Sequence, residues 1–229
     1  MSRVRIYTKK GDDGTTGLLY GGRVRKDAAR IELNGAVDEA QAALGLARAE
    51  SRPGSELANL LVELERQLYV LMAEVATAPA NRHKLVAGES IVTPKMVAAL
   101  EGWIDQLIER FEMPKEFVLP GANRCSAALD VARTLVRRAE RVLVSAGPLG
   151  PHGAAGDSGG VGGDAAGVGG DAAGVGGDAG DGGESVVSQV GPYLNRLSDL
   201  LWAMARWQEG EVHLAARQRL SGIPGEGDR

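Results

Sequence analysis

Leucine and valine recur at helical spacing along most of this chain. Leu57, Leu60, Leu61, Leu64, Leu68, Leu71, Met72 and Val75 lie on one stripe, and Ser55 stands where an N-cap belongs, so a helix is predicted over about 56–77. Before it, a helix is predicted from about Val37 to Glu50, ended by Arg52-Pro53-Gly54. Thr93 followed by Pro94 is a cap and first-turn proline, and Val97, Leu100, Ile104, Leu107, Ile108 and Phe111 continue that helix until Met113-Pro114 breaks it. The short apolar run Phe117-Val118-Leu119-Pro120-Gly121 leads into a fourth helix over about 122–146. A fifth runs from about Ser185 to Leu220, with Pro192 near its start. Strand-like alternation is confined to Val4-Arg5-Ile6-Tyr7. The expectation is an all-α fold, a five-helix up-and-down bundle.

Between the last two helices the apolar period stops. Val161–Gly167 and Val168–Gly174 are the same heptad, VGGDAAG, and Val175 opens a third copy. Seventeen of the 37 residues from 147 to 183 are glycine, too little apolar surface to offset the ordering entropy of such a segment. Residues 147–184 are therefore predicted to be a disordered insert in a single domain spanning 1–229. A phosphate-binding glycine loop is the alternative, but no GxGxxG spacing occurs there.

Composition narrows the class. Hydrophobic residues make up 44% of the 229 and aromatics 4%, so the core must be mostly aliphatic. The net charge of −4 argues against a nucleic-acid binder, and removing the five aspartates of 147–183 leaves the remainder at +1. A lone cysteine, Cys125, forms no disulfide within the chain and reads as a small core residue. No apolar run reaches the ~18 residues of a membrane span, and the N-terminus shows no signal-peptide core, so no membrane association and a cytoplasmic location are expected. His83, His152 and His213 are scattered, and no protein-ligated metal site is expected.

Two polar clusters carry the chemistry. Thr8-Lys9-Lys10-Gly11-Asp12-Asp13-Gly14-Thr15-Thr16-Gly17 combines glycines, lysines, aspartates and hydroxyls. Such a loop can turn backbone N–H groups toward an anion while lysines add charge, and an aspartate can share a hydrated divalent cation with phosphates. A solvated Gly/Asp turn is the alternative. The second cluster lies on helix four. Arg133, Arg137 and Arg141 follow i, i+4, i+8, with Glu140 beside them and Arg138 to the side. Guanidinium forks suit phosphate and carboxylate oxygens. Salt bridges to Asp130 and Glu140 on an exposed face are the alternative. Asn195, Ser198 and Asp199 are polar residues set among the leucines of helix five, and an Asn there calls for a specific partner. Asp38 follows Gly35 on helix one and suits either a first turn or an arginine partner.

Taken together, Tyr7–Gly17, Gly35-Ala36-Val37-Asp38-Glu39, Phe117–Gly121, Ala132–Arg141 and Asn195-Arg196-Leu197-Ser198-Asp199 resemble, in this order, the PduO-type ATP:corrinoid adenosyltransferases. The resemblance covers Tyr7 to about Trp207 except the glycine-rich insert. It implies a homotrimer with active sites between neighbouring subunits. It also implies transfer of the 5′-deoxyadenosyl group from ATP, with Mg²⁺, to cob(I)alamin, giving adenosylcobalamin and triphosphate. By the same resemblance, Thr8, Lys9, Lys10, Gly11, Asp12, Gly14, Thr15 and Thr16, assisted by Lys26, cradle the phosphates. Arg137, Glu140, Arg141 and Asn195 hold ATP, with Arg138 beside them. Asp38 and Arg133 match a pair that bridges subunits on the corrinoid side, and Phe117 matches an aromatic on the lower axial face of the corrin. A reductase and an adenosylcobalamin-dependent enzyme are the partners such chemistry calls for.

Two other functions compete. Another nucleotide-using transferase or phosphatase is disfavoured in its P-loop form, since Gly-x-x-x-x-Gly-Lys-Ser/Thr is missing. A helical cobalamin carrier would have no need of a phosphate loop.

Overall fold

The computed structural model describes residues 6–147, 188–210 and 214–215. The repeat insert, predicted to be disordered, lies outside the described residues apart from Gly147. Five α-helices are present among the described residues: α1 (Ala29–Ala49), α2 (Glu56–Val75), α3 (Pro94–Ile108), α4 (Arg124–Ala146) and α5 (Val190–Glu209). Pro79–Lys84 forms a 3-10 helix between α2 and α3. The helices lie side by side in the order α2, α1, α4, α5, α3. Side chains also link helices that are not neighbours in that row: the Tyr193 hydroxyl on α5 donates to Gln67 on α2 at 2.9 Å, and Arg110 just past α3 pairs with Glu56 on α2 at 2.8 Å.

The core is aliphatic, as the composition requires, and includes Leu61, Leu64, Leu68 and Leu71 of the predicted α2 stripe. Leu33, Leu44, Leu61, Leu64, Leu68, Leu71, Leu129, Leu194 and Leu197 are all fully buried. Each contributes on the order of 1.5–3 kcal/mol of transfer free energy. Helix starts are fixed locally. The Ser55 and Thr93 hydroxyls accept from the N–H groups of Ala58 and Met96. Asn123 and Ser126 cap α4 reciprocally, an arrangement worth about 1 kcal/mol.

The helix boundaries depart from expectation in three places. Helix α1 begins at Ala29, about eight residues earlier than the sequence predicts. Gly35 does not interrupt it, because Leu33 is fully buried and Arg30 donates to the carbonyls of Val75 and Thr77 at 2.6 and 2.7 Å. Tertiary packing here overrides the glycine's weak propensity. Helix α3 ends at Ile108, and Phe111 instead meets Trp202 edge-on with centroids 6.3 Å apart. Helix α5 spans 190–209 rather than 185–220, because Gly210 takes φ +60° and turns the chain out of the helix.

The fold is mostly helical, as expected, with a few short strands in places the sequence does not mark. Ile6 and Tyr7 belong to no strand. Instead β1 (Thr15–Gly17) and β2 (Arg23–Arg25) form an antiparallel hairpin. A second small sheet pairs β3 (Val118–Leu119) with β4 (Leu214–Ala215). The hairpin is pinned to the α2 end of the molecule: Leu19 N–H donates to the Ala76 carbonyl at 2.9 Å, and the Lys84 ammonium lies 5.9 Å from the centre of the Tyr20 ring.

Candidate functional site

The N-terminal loop is folded by its own side chains. Asp13 Oδ1 accepts from the Thr15 N–H at 2.9 Å and from the Thr15 hydroxyl at 2.8 Å. These bonds to Thr15, backbone first, hold the Asp13 carboxyl below its ordinary pKa, with Arg23 adding to the effect. Lys9 takes φ +58° and Gly14 φ +80°. The Lys26 N–H donates to the Gly14 carbonyl at 2.9 Å. Gly11 has a steric reason: a Cβ there would lie 3.2 Å from both Lys26 Nζ and the Thr15 carbonyl. The Lys26 ammonium is thereby brought over the loop.

Among the described residues, Lys9, Lys10 and Lys26 form no ion pair, and the Asp12 carboxylate has no hydrogen-bond or ion-pair partner. Thr8, Lys9, Lys10, Asp12 and Gly14 are exposed, whereas Gly11, Thr15 and Thr16 are half-buried. Three ammonium groups without an ion pair among the described residues, around a turned backbone, have the chemistry an anion site calls for.

Helix α4 carries the second group. Arg137 and Arg141 are exposed and form no ion pair among the described residues; the Arg141 guanidinium donates to the Arg137 carbonyl at 3.1 Å. The salt-bridged alternative therefore fails for these two. It holds for Arg133, which pairs with Asp130 at 3.2 Å. Arg138 turns toward α1, pairing with Glu39 and, at 3.5 Å, with Glu32. Asn195 has the partner its setting calls for: its amide donates to Glu140 Oε1 at 3.0 Å. The chain of contacts continues through Arg196, which bonds the Asn195 oxygen and pairs with Glu101 at 2.9 Å. Glu140 is thus fixed beside Arg137 and Arg141 from α5.

Two clefts flank α4. A small one of about 260 Å³ between the end of α4 and the start of α1 is lined by Glu32, Arg138, Arg141 and Ser145. It adjoins Ala29, four residues from the end of the hairpin strand β2. The larger, about 710 Å³, lies near the start of α4 and is lined by Phe117, Val118, Asp130, Arg133, Trp202 and Arg206, together with the 113–116 turn and Pro120. Phe117 is 89% exposed, which rules out ordinary core packing as its role in this protomer. Cys125 is buried as expected, and burial raises its thiol pKa, Glu50 adding to it.

The structure thus joins the loop to Lys26, Glu140 to Asn195, and Phe117 to Arg133. Within one protomer, and among the described residues, it joins neither Asp38 to Arg133 nor the loop to Arg137 and Arg141 by any hydrogen bond or ion pair. Asp38 is exposed on α1 with no such partner among them. Three contributors carry no motif: Arg23 behind the loop, and Trp202 and Arg206 in the large cleft. A signal for Arg206 exists in the sequence, a lone cation flanked by Ala203, Met204, Ala205 and Trp207 where the apolar period of α5 calls for core. No group of three or more His, Cys, Asp or Glu able to hold a metal ion occurs among the described residues, and none of the helices there is long and apolar enough to cross a membrane.

The chain's relatives agree in kind. Residues 6–150 match the family described as cobalamin adenosyltransferase. A corrinoid adenosyltransferase of Citrobacter freundii is 35% identical over 205 residues, covering 90% of this chain and 95% of that one. One from Mycobacterium tuberculosis is 35% identical, covering 88% of this chain and 87% of that one. Among solved structures, a phenylalanine-to-alanine variant of a PduO-type ATP:corrinoid adenosyltransferase from Lactobacillus reuteri, complexed with cobalamin and ATP, superposes with a TM-score of 0.69 at 25% identity. That likeness covers 93% of this chain and all of that one. An arginine-to-lysine variant complexed with ATP superposes with a TM-score of 0.64 at 26% identity, covering 89% of this chain and 93% of that one.

Proposed function

The chain belongs to the cobalamin adenosyltransferase family, and from that premise we propose that it transfers the 5′-deoxyadenosyl group of ATP to cob(I)alamin, releasing triphosphate. One observation carries the reading on this chain's own residues. A single helix, α4, bears both the guanidinium groups of Arg137 and Arg141, which form no ion pair among the described residues, and, one turn earlier, Arg133 at the cleft it shares with Phe117. At 1.5 Å per residue, Arg133 and Arg137 are about 6 Å apart along the axis. A polyanion site and a site for a large flat ligand are thereby held at a fixed offset.

The reaction is a displacement at C5′. The cobalt lone pair of cob(I)alamin forms the Co–C bond, the C5′–O bond breaks, and triphosphate departs with the bonding electrons. So strong a nucleophile needs no side-chain base. The protein must hold the two substrates in line, which is a matter of proximity and orientation, and stabilise the charge that develops on the leaving group. Lys9, Lys10 and Lys26 with the turned backbone of Thr8–Thr16, and Arg137 and Arg141, supply that charge. Glu140, anchored by Asn195, orients the arginines or accepts from the nucleoside. Asp12, a hard oxygen donor without a partner among the described residues, fits a Mg²⁺ ion that arrives with the phosphates and neutralises part of their charge.

Making Co(I) requires that the lower axial ligand leave the cobalt. Phe117 is an exposed ring in the lining of the large cleft, with Val118, Pro120 and Trp202 as apolar neighbours there, and it suits that step. Burying it against a corrin would be favourable by up to ~3 kcal/mol and would keep water off the lower face. The chemistry stays the corrinoid's; position and environment are the protein's.

The arrangement proposed for the whole enzyme is a five-helix up-and-down bundle that assembles as a homotrimer. In it the loop and Asp38 of one subunit meet Arg137, Arg141 and Arg133 of its neighbour. Within one protomer, and among the described residues, Lys9, Lys10, Asp38, Arg137 and Arg141 form no ion pair, which supports that reading. A reductase supplying the electron for Co(I), and an enzyme that consumes adenosylcobalamin, complete the proposed context. Anaerobic incubation with ATP, Mg²⁺ and chemically reduced cobalamin tests the function: absorbance changes of Co–C bond formation with stoichiometric triphosphate are expected. A folded protein that yields neither would overturn it. Light scattering is expected to give three times the 23.9 kDa chain mass.

A further inference from the structure

The floor of the large cleft is a buried charge cluster that no motif marks. Arg206 is 3% exposed, and Asp130 and Glu209 beside it are 4% and 6% exposed. Arg206 donates to Asp130 Oδ2 at 2.7 Å and to Glu209 Oε1 at 2.8 Å. Its guanidinium lies 5.7 Å from the centre of the Trp202 ring. Burial works against the arginine's charge, but the bonds to Glu209 and Asp130 outweigh it, and the pKa rises above the ordinary arginine value.

Two carboxylates against one guanidinium leave one negative charge in excess in a place where unpaired charge is costly. Arg133 supplies the balance. Its Nε donates to Asp130 Oδ1 at 3.2 Å, so the two oxygens of Asp130 are divided between a buried arginine and a half-exposed one. Arg133 is therefore gripped by its inner nitrogen. Its two terminal nitrogens, the prongs that suit bidentate acceptors, have no partner among the described residues. Arg133 and Phe117 line the same cleft.

Resting on the adenosyltransferase reading above, we propose that Asp130 is a positioning residue for that reaction: locked by Arg206 and Glu209, it holds Arg133 by Nε and leaves the terminal nitrogens free for the acceptor that completes the corrinoid side of the site. The cluster acts as a rigid bracket because Asp130, itself buried, would give up both arginine partners if it moved, and a buried carboxylate without partners is costly.

Asp130→Asn in the full-length chain tests this. The substitution keeps shape and one acceptor oxygen but removes the charge that holds Arg133. Expected are a rise of about tenfold in KM for cobalamin, the equivalent of one charge-assisted hydrogen bond, and a smaller four-coordinate Co(II) signal, with KM for ATP changed less than about twofold. Adding Arg133→Ala separates positioning from packing: Asp130→Asn is expected to cost nothing further once the Arg133 side chain is gone. If circular dichroism shows the Asn variant unfolded, Asp130→Glu, which keeps the charge and displaces Arg133 by a methylene, is followed by the same two signals and is expected to shift both in the same direction. The proposal is overturned if the folded variant keeps its cobalamin KM and its Co(II) spectrum. It is equally overturned if the loss is as large in the Arg133→Ala background. A wild-type chain that forms no adenosylcobalamin would be a different failure, that of the functional reading itself.

Discussion

Arg23 reaches back across the N-terminal hairpin to Thr15, donating to its hydroxyl oxygen from Nε at 3.0 Å and from a terminal nitrogen at 2.6 Å. The same terminal nitrogen bonds the Lys10 carbonyl and lies 3.6 Å from Asp13. One guanidinium from β2 thus ties together three residues of the anion loop. A loop ordered before binding spares the ligand the entropy of ordering it. Arg23→Ala is expected to raise KM for ATP by about five- to tenfold while leaving kcat within about twofold, and Arg23→Lys to recover part of the loss. Titration calorimetry with ATP checks the affinity directly. An unaltered ATP affinity in the folded Ala variant would show that the loop keeps its shape without the clamp.

Asp13 contributes to the same loop through its charge. Its pKa is depressed because the Thr15 N–H and hydroxyl, and then Arg23, favour the carboxylate. A depressed folded-state pKa means the contribution is fully present above the unfolded aspartate value and is lost as pH falls through the lower folded value. The Asp13 contribution to loop order should therefore be independent of pH between about pH 5 and 8 and weaken only in stronger acid. Carboxyl-carbon NMR is expected to place its midpoint below the ordinary 3.8. A midpoint at or above that value would mean the bonds to Thr15 do not persist in solution.

The amphipathic stripes of α2 and α4, and the caps at Ser55 and Thr93, are legible in the sequence because burial and capping act over three or four residues. The two polar clusters are legible too, since the loop's glycines and the i, i+4 arginines are local patterns. What the sequence hides depends on distant neighbours. Helix α1 runs through Gly35 because Arg30 is held by the carbonyls of Val75 and Thr77, 45 and 47 residues further along the chain. Strand β3 exists because β4, from beyond α5, lies against it. Arg206 reads as an out-of-place cation until Asp130 and Glu209 are seen beside it.

The Arg137 guanidinium, midway along α4, has no hydrogen-bond or ion-pair partner among the described residues. Truncating it costs the protomer no side-chain bond, so Arg137→Ala should alter stability by less than about 0.5 kcal/mol. Against a triphosphate it should cost one or two charge-assisted hydrogen bonds, about 1.5–3 kcal/mol each, lowering kcat/KM for ATP by roughly 10- to 100-fold or more. Steady-state kinetics with thermal melts on the same preparation check both. Normal ATP kinetics in the folded variant would remove Arg137 from the nucleotide site.

Phe117, at 89% exposure, is similarly cheap to remove from the free protein. Phe117→Ala is expected to leave the melting temperature unchanged and ATP affinity nearly so, while turnover falls by at least about tenfold, because a ring that displaces the lower ligand acts on the cobalt and not on the nucleotide. The fraction of four-coordinate Co(II), followed spectroscopically with ATP bound, should fall with turnover. A variant that forms as much of that species as the wild type would assign Phe117 no part in making it.

The position of Phe117 in turn depends on the strand that follows it. Val118 pairs with Ala215 and Leu119 with Leu214, so the ring sits at the end of a two-stranded sheet whose second strand comes from beyond α5. A two-residue strand has no stability of its own; without β4 the 113–120 segment keeps only its cleft contacts. Ending the chain at Gly210 should leave the helices intact, because the buried leucines and the Arg206–Asp130 pair all lie before that point. The truncated chain is expected to retain ATP affinity and to lose turnover in the same sense as Phe117→Ala, and the two changes combined should cost little more than either alone, since both act through one ring. Kinetics on the four proteins of that cycle decide it: fully additive losses would mean that β4 serves the reaction by a route other than holding Phe117.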